Sequence, residues 1–255
     1  MERVGEHPVP RGPLAVRWLA HDSGPFRAGS LQRLRVGFEN AGSAPWREVR
    51  LSYHWLDPLG NAVVWDGVRT HLPAAKPGER LEAAAEVRAP IPPGRYRLAL
   101  DLVLEHRYWF SEVGNVPLEL EVEVTPRIER RLAALGAEVR DQEEPLVPLA
   151  DAEAVAHLAP GCRPAPDWSR RVLDAHQEGY GVVAGSFEAG RNRALSPWLP
   201  GTGRNPGFAH PLLCPSVVSG VEPDWLDPVE GLPAAVAPGE EPWVYDGRIT
   251  VTLRR

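Results

Sequence analysis

Alternation of apolar and polar residues along several short segments is the feature that most constrains this chain. In residues 116–124 (VPLELEVEV), Leu118, Leu120 and Val122 share one parity, and the intervening glutamates share the other. Successive side chains of a β-strand point to opposite faces, so a period of two predicts strands with one apolar side and one polar side. Because a slip of one residue would turn every apolar side chain outward, the pattern also predicts the strand register.

Similar segments recur through the first half of the chain. They lie at residues 14–20, 34–38, 51–55, 62–72, 81–87 and 96–104. Stretches rich in Pro, Gly and Asn separate them, and these residues favour reversals of the chain. About seven short strands with regular turns are typical of an antiparallel sandwich. We therefore predict a mainly β fold, with an immunoglobulin-like antiparallel sandwich over residues 12–125.

One turn in this half carries a recognisable spacing. Asn40, Gly42 and Trp46 form the pattern N-x-G-x-x-x-W, and residues 93–101 add a Pro-Gly turn leading into a strand. These stretches resemble immunoglobulin-like accessory domains, among them the four-tryptophan domains of autophagy receptors and sandwich modules appended to bacterial polysaccharide-handling proteins and glycosyltransferases. The resemblance covers about residues 30–124. It implies a sandwich fold that binds a partner or spaces domains, rather than one that performs chemistry.

The tryptophans of the first half are the residues most able to form a binding surface. An exposed Trp offers an apolar face and one N–H group, which suits a sugar or a partner chain. The alternative is that they belong to the core, and the parity of Trp55 matches that of the apolar Leu51. We predict core positions for Trp46, Trp55 and Trp109. Trp65, in the sequence VVWDG, is the predicted exposed tryptophan and a candidate ligand-binding residue.

Polar residues at outward parity are expected to face water. His54 and Asp101 occupy such positions on neighbouring predicted strands. Glu119, Glu121 and Glu123 form an acidic row on the last one, which we expect to be a solvated face or an edge protected against pairing. No metal site is predicted at either place.

The second half has a mixed pattern. We predict a helical and extended linker over 126–150 and a small α+β region, rich in Pro, Gly and Trp loops, over 151–255. Expected helices lie at 127–141, 151–158 and 167–178, the last preceded by Asp167 and closed by Gly179. A buried strand is expected at 180–187, and Asp246-Gly247 predicts a two-residue turn in a terminal hairpin.

The sequence contains no complete motif of catalysis or of cofactor binding. Residues 201–207 resemble a dinucleotide-binding loop, but the third glycine comes one place late and Pro206 interrupts the expected helix. Cys214 lies between two prolines in apolar surroundings, which favours a structural cysteine over a nucleophile. We predict no catalytic residue, no cofactor and no metal.

One polar cluster in the second half is a candidate ligand site. It contains Trp198, Arg204, Asn205 and His210, near further arginines. Arginine binds carboxylate and phosphate groups through paired hydrogen bonds, so an anionic ligand or a partner interface is one interpretation. The alternative is that these side chains cap carbonyl groups of an irregular loop and pair with acidic residues.

Charge and hydropathy exclude some classes of partner. The net charge is −6, and no basic stripe of the kind that binds nucleic acid occurs. There is no apolar run of about 18 residues, so no membrane insertion is predicted. The N-terminal residues lack the apolar region of a signal peptide, and there are only two cysteines. These features lead us to expect a cytoplasmic protein.

Together these features predict a non-catalytic binding or accessory protein whose β-sandwich presents a surface for a glycan or a protein partner. The alternative is an enzyme, or an enzyme-associated subunit of a glycosyltransferase-like system, with its site in residues 176–215. A structural role in a larger assembly, with the proline-rich region as an interface, is a third possibility. Ligand-binding residues predicted from the sequence are Trp65, Trp198, Arg204, Asn205 and His210.

Overall fold

The structure, a computed structural model, describes residues 1–128, 154–156, 162–189, 216–218 and 242–253. Contacts divide the chain into two compact units, Met1–Thr125 and Pro126–Arg255. Each unit is described by itself below. The prediction of a mainly β fold is confirmed, since strands dominate the described residues.

The first unit contains eleven strands and a short 3-10 helix at Ser111–Val113. The strands are β1 (Glu2–Arg3), β2 (Val16–His21), β3 (Phe26–Arg27), β4 (Leu31–Asn40), β5 (Val49–Leu56), β6 (Ala62–Val64), β7 (Thr70–His71), β8 (Arg80–Arg88), β9 (Gly94–Leu104), β10 (Tyr108–Trp109) and β11 (Leu118–Thr125). The short strands β1, β3 and β10 were not predicted, because two residues carry no periodic signal.

These strands form two sheets. The first sheet has the order β1-β2-β4-β8, and the second has the order β3-β11-β9-β5-β6. In addition, β7 pairs with β5 and β10 pairs with β9. All pairings are antiparallel except that of β3 with β11, which is parallel.

The two sheets share one hydrophobic core, and the predicted inward parity of the apolar residues on β4, β5 and β9 is confirmed. Side chains from both sheets lie in it at 4% exposure or less: Leu34, Val36, Phe38, Leu51, Tyr53, Trp55, Leu98, Leu100 and Leu102. Aromatic rings meet edge to face inside it, with Phe26 and Trp55 centroids 5.5 Å apart and Trp46 and Phe110 centroids 5.6 Å apart. Such contacts add to the gain from burying the apolar area. The predicted core positions of Trp46 and Trp55 are also confirmed, whereas Trp109 is buried outside this core.

The N-x-G-x-x-x-W turn has a structural explanation. The Asn40 side chain is buried, donates to the carbonyl oxygens of Ala44 and Ala75 at 3.0 Å each, and accepts the N–H of Gly42 at 3.0 Å. A Cβ at Gly42 would lie 2.3 Å from the carbonyl oxygen of Pro13, so only glycine fits there. The motif therefore fixes a turn and leads Trp46 into the core.

The second unit contains one described sheet of five strands and one described helix. They are β12 (Ala154–Ala156), β13 (Cys162–Pro164), α1 (Trp168–Glu178), β14 (Val182–Ala189), β15 (Ser216–Val218) and β16 (Trp243–Leu253). The sheet order is β12-β15-β14-β16-β13, with β14 and β16 parallel and the other pairs antiparallel. Among the described residues, no helix is long and apolar enough to span a membrane.

Two predictions for this unit are confirmed, with one detail corrected. Helix α1 follows Asp167 and ends before Gly179, and β14 matches the expected strand within two residues. The Asp167 carboxylate makes no capping hydrogen bond to the helix backbone. It accepts instead from Arg171 Nε at 2.6 Å, and this guanidinium holds the pKa of Asp167 below its usual range. The ion pair with a side chain one turn away replaces the cap.

Two other predictions for this unit are wrong. The helix expected at 151–158 contains strand β12, which pairs with β15. The terminal hairpin is replaced by the single strand β16, in which Asp246 pairs with Gly185 and Thr250 pairs with Ser186. The residues between Asp246 and Thr250 form an irregularity in the ladder rather than a turn. Pairing with a neighbouring strand thus outweighs the local propensity in both segments. The predicted helix over 127–141 lies outside the described residues except for its first two positions.

Candidate functional site

The outer face of the second sheet is covered rather than solvated. Side chains of β5 and β9 that point away from the core are nevertheless buried: Ser52, His54, Ala99, Asp101 and Val103. The prediction that His54 and Asp101 face water is therefore wrong, since they are 3% and 0% exposed. The covering segments are residues 65–69 and strand β10 with the turn that follows it.

The path of residues 65–69 follows from the pairing of β5. Strands β6 and β7 both pair with β5, so the chain between them must leave the sheet edge and return to it. At Gly67 the backbone N–H donates to the Tyr53 carbonyl oxygen at 3.1 Å, and a Cβ would lie 2.6 Å from that oxygen. Glycine at position 67 therefore allows the segment to lie directly against β5.

Three rings form the centre of the site, and we call His54, Trp65 and Trp109 the aromatic cluster. The His54 ring stacks on Trp65 with centroids 4.1 Å apart and planes 23° apart, and its centroid lies 4.3 Å from that of Trp109. Trp65 and Trp109 meet edge to face at 6.4 Å. His54 therefore supports Trp65 from beneath, while Trp109 supports both rings from the side.

The tautomer of His54 follows from its hydrogen bond. Its Nδ1 atom contacts the carbonyl oxygen of Trp65, and a carbonyl oxygen can only accept, so Nδ1 carries the proton. The other ring nitrogen, Nε2, is buried without a hydrogen-bond partner among the described residues. This hydrogen bond ties the backbone of Trp65 to the same ring on which its indole stacks.

Arg69 connects the covering segment to the sheet. Its Nε donates to Glu105 at 2.7 Å, and its Nη1 donates to Ser52 Oγ at 3.0 Å and to the Gly67 carbonyl oxygen at 2.7 Å. Its Nη2 donates to the carboxylate of Asp66. The guanidinium carbon also lies 4.8 Å from the centroid of the Trp109 ring, a cation–π distance.

The charges of this network reinforce each other. Burial lowers the pKa of Arg69, but its ion pairs with Asp66 and Glu105 outweigh that effect and raise the pKa above its usual value. Arg69 therefore stays cationic, and its charge is compensated inside the site. The Asp66 side chain is 72% exposed, so its carboxylate also reaches solvent.

Asp101 lies in the buried layer under the aromatic cluster. Burial raises the pKa of its carboxyl group above the usual value, although hydrogen bonds from Ser111 and Leu102 act in the opposite direction. Its oxygens accept the backbone N–H of Leu102 at 2.7 Å and that of Ser111 at 3.2 Å. Asp101 thus anchors the turn after β10 to the sheet.

Of the residues predicted to bind a ligand, Trp65 is the one that the structure describes. Its side chain is 53% exposed. Trp198, Arg204, Asn205 and His210 lie outside the described residues, as does most of the range 176–215. His176, at the start of that range, is buried in α1 and its Nδ1 lies 2.7 Å from the Tyr180 carbonyl oxygen.

Sequence reasoning missed three of the residues that build the site. No sequence pattern marks Arg69, because its partners include Ser52, Glu105 and Trp109, which lie far from it along the chain. Trp109 is predicted to lie in the core, whereas its ring covers the outer face of the second sheet. His54 had a signal, because it shares outward parity with Asp101 on the neighbouring strand. Within the described residues no group of His, Cys, Asp and Glu could hold a metal ion.

Comparisons with known proteins add little to this geometry. No protein-family model matches the chain, and no curated protein matches it. A solved C-terminal domain of wzt is 8% identical, with 47% of this chain and 78% of that chain covered and a TM-score of 0.33. A family 123 glycoside hydrolase from Clostridium perfringens is 11% identical, and the match covers 39% of this chain and 22% of that chain with a TM-score of 0.25. At these TM-scores the likenesses assign no function to the chain.

Proposed function

We propose that the first unit is a non-catalytic binding module that presents Trp65 to a glycan. The observation that carries this proposal is the combination of exposure and support at Trp65. The residue is 53% exposed, yet its ring stacks on that of His54 with centroids 4.1 Å apart. Trp109 restrains it further at 6.4 Å. An exposed tryptophan fixed in this way is a preformed binding surface.

Sugars suit such a surface for a physical reason. The C–H groups of a pyranose ring carry partial positive charge, and the face of an indole ring is partially negative. Stacking therefore combines apolar burial with electrostatic attraction. Because Trp65 is already immobilised, ligand binding costs less side-chain entropy than it would at a freely rotating residue.

We also propose that the strands of the first unit are arranged as in an immunoglobulin-like sandwich. The pairings β2-β4-β8 and β11-β9-β5 follow the order of strands A-B-E and G-F-C in immunoglobulin-type sandwiches. Trp55 is buried on β5, the counterpart of strand C. The Tyr96 hydroxyl donates to the Pro92 carbonyl oxygen at 2.7 Å, as in a tyrosine corner. Sandwiches of this kind carry binding surfaces in many proteins.

Burial of the ionisable groups supports a non-catalytic role for the aromatic cluster. A general acid or base must come within hydrogen-bonding distance of its substrate. His54 and Asp101 are both closed off from solvent, and the Nδ1 atom of His54 is committed to a backbone carbonyl. The exposed part of the cluster is the indole of Trp65, which can bind but cannot transfer a proton.

The test is a glycan array probed with the purified chain, followed by calorimetry on the glycans that bind. Replacement of Trp65 by Ala should weaken binding by about tenfold or more, the effect expected at a central aromatic contact. The matched control is Leu59→Ala, because Leu59 is 87% exposed and lies outside the aromatic cluster. Unchanged binding by a folded Trp65→Ala variant, or equal losses in both variants, would contradict the proposal. If the chain bound no glycan but bound a protein in a Trp65-dependent manner, the glycan proposal would be wrong and the ligand would be a protein.

A further inference from the structure

We infer that the surface at Trp65 selects uncharged, hydroxyl-rich ligands over anionic ones. This inference rests on the proposed function and specifies the chemical class of the glycan. It follows from how the charged groups around the aromatic cluster are used.

The guanidinium of Arg69 has almost no capacity left for a ligand. Its hydrogen bonds go to Glu105, Ser52, the Gly67 carbonyl oxygen and Asp66. These four bonds use all but one of the five N–H donors of a guanidinium. One face of the group also lies over the Trp109 ring at 4.8 Å. An anionic ligand would have to displace existing partners to bind this cation in a bidentate manner.

The exposed side chains that flank Trp65 along the chain carry no positive charge. Val63 and Val68 are 43% and 36% exposed, and the Asp66 side chain is 72% exposed. An ionised carboxylate is an acceptor only, so Asp66 can accept hydrogen bonds from ligand hydroxyl groups. It repels the carboxylate or sulfate of an acidic sugar. Its ion pair with Arg69 holds this carboxylate at the position that follows Trp65 in the chain.

The experiment compares matched pairs of hexasaccharides by calorimetry on the full chain. Hexamers of glucose, mannose and galactose are paired with hexamers of glucuronate, mannuronate and galacturonate. At least one neutral member should bind in a Trp65-dependent manner, and its uronate counterpart should bind about tenfold more weakly. The Asp66→Asn variant, which keeps an acceptor but removes the charge, should narrow that difference. Glu82→Gln, at an exposed position of the first sheet, is the control and should leave the difference unchanged.

The outcomes separate this inference from the proposed function. If a uronate hexamer binds as tightly as its neutral counterpart and loses affinity in Trp65→Ala, the charge preference is wrong and the glycan site stands. If Asp66→Asn leaves the difference unchanged while melting like wild type, Asp66 is not the residue that sets the preference. If no hexamer binds, or if Trp65→Ala binds each one normally, the glycan proposal and the charge preference both fail.

Discussion

The two outer faces of the sandwich look alike in the sequence and differ in the structure. On the first sheet many outward positions are charged and exposed, such as Arg17 and Arg80, which lie 3.0 Å and 3.1 Å from the largely covered carboxylate of Glu39. On the second sheet the outward positions of His54 and Asp101 are buried under a further layer of chain. Alternation thus locates the two faces of a strand, but the burial of the polar face depends on what the neighbouring loops cover.

The physical difference between the faces is the amount of apolar area removed from water. Forming an exposed ion pair on the first sheet removes some hydration from both charges, and the surrounding water weakens their attraction. Such a pair therefore adds little to the free energy of unfolding. The aromatic cluster on the second sheet buries indole and imidazole surface, and apolar burial contributes in proportion to area. We therefore expect substitutions on the second face to change stability and binding together, and substitutions on the first face to change neither by much.

The largest expected effect comes from truncating the covering layer. Trp109 is 8% exposed and contacts both His54 and Trp65. Trp109→Ala should lower the free energy of unfolding by about 3–5 kcal/mol, the range for removal of a large buried aromatic side chain. Urea unfolding of the purified chain measures it. The loss should be accompanied by weaker glycan binding, because Trp65 loses a lateral support.

The matched substitution on the first sheet is Arg80→Ala, whose side chain is 74% exposed. It should cost less than about 1 kcal/mol. Trp109→Phe serves as a second control and should retain part of the stability, because a smaller ring can still cover the sheet. Equal losses for Trp109→Ala and Arg80→Ala would mean that the covering layer adds no more stability than a surface ion pair.

A smaller effect is expected from the pH dependence of Asp101. Burial raises its folded-state pKa above 3.8, so its contribution to stability is fully present below the unfolded pKa and is lost as pH rises through the folded pKa. Asp101→Asn does not ionise. The stability of wild type relative to Asp101→Asn should therefore decline as pH rises from below about 4 towards neutrality, as measured by urea unfolding at each pH.

Asp22, directly after β2, has a pKa shift of the opposite sign. Its hydrogen bond and ion pair with Arg35 hold the pKa of Asp22 below its usual value. Its contribution is therefore present above the unfolded pKa and is lost as pH falls. Wild type compared with Asp22→Asn should lose relative stability on acidification. Parallel pH profiles for the two pairs of variants would show that the carboxyl groups of the two faces share one environment.

The strands and the core could be predicted from the sequence because each depends on local periodicity. Leu98 and Leu100 lie in the core as their parity predicts, and Trp55 does so too. The covered outer face could not be predicted in this way, because it depends on the return of residues 65–69 to β5 and on the contacts of Arg69 with distant residues. Asp246-Gly247 failed as a turn for a related reason, since pairing between β16 and β14 is not local.

Of the candidate site, Trp65 could be predicted because an apolar ring beside Asp66-Gly67 stands out in a turn-rich segment. Its support by His54 could not, because parity alone assigned His54 to water. A polar residue at outward parity is informative when a second one, here Asp101, lies near it on the adjacent strand. Such a pair indicates either a solvated face or a buried polar layer. Gly67 permits the buried layer, because the absence of a Cβ lets residues 65–69 lie directly against β5.

The smallest expected effect concerns the ion pairs of the first sheet. Glu39 is only 11% exposed at its side chain, whereas the Arg17 side chain is 50% exposed. A double-mutant cycle with Arg17→Ala and Glu39→Gln should give a coupling energy of about 0.2–1 kcal/mol, because solvent screens the arginine. The coupling should decrease between low salt and about 1 M salt, where the Debye length falls to about 3 Å. A coupling energy well above that range and independent of salt would mean that the outer face of the first sheet is protected from solvent, as the outer face of the second sheet is. The two faces would then not differ in their exposure to water.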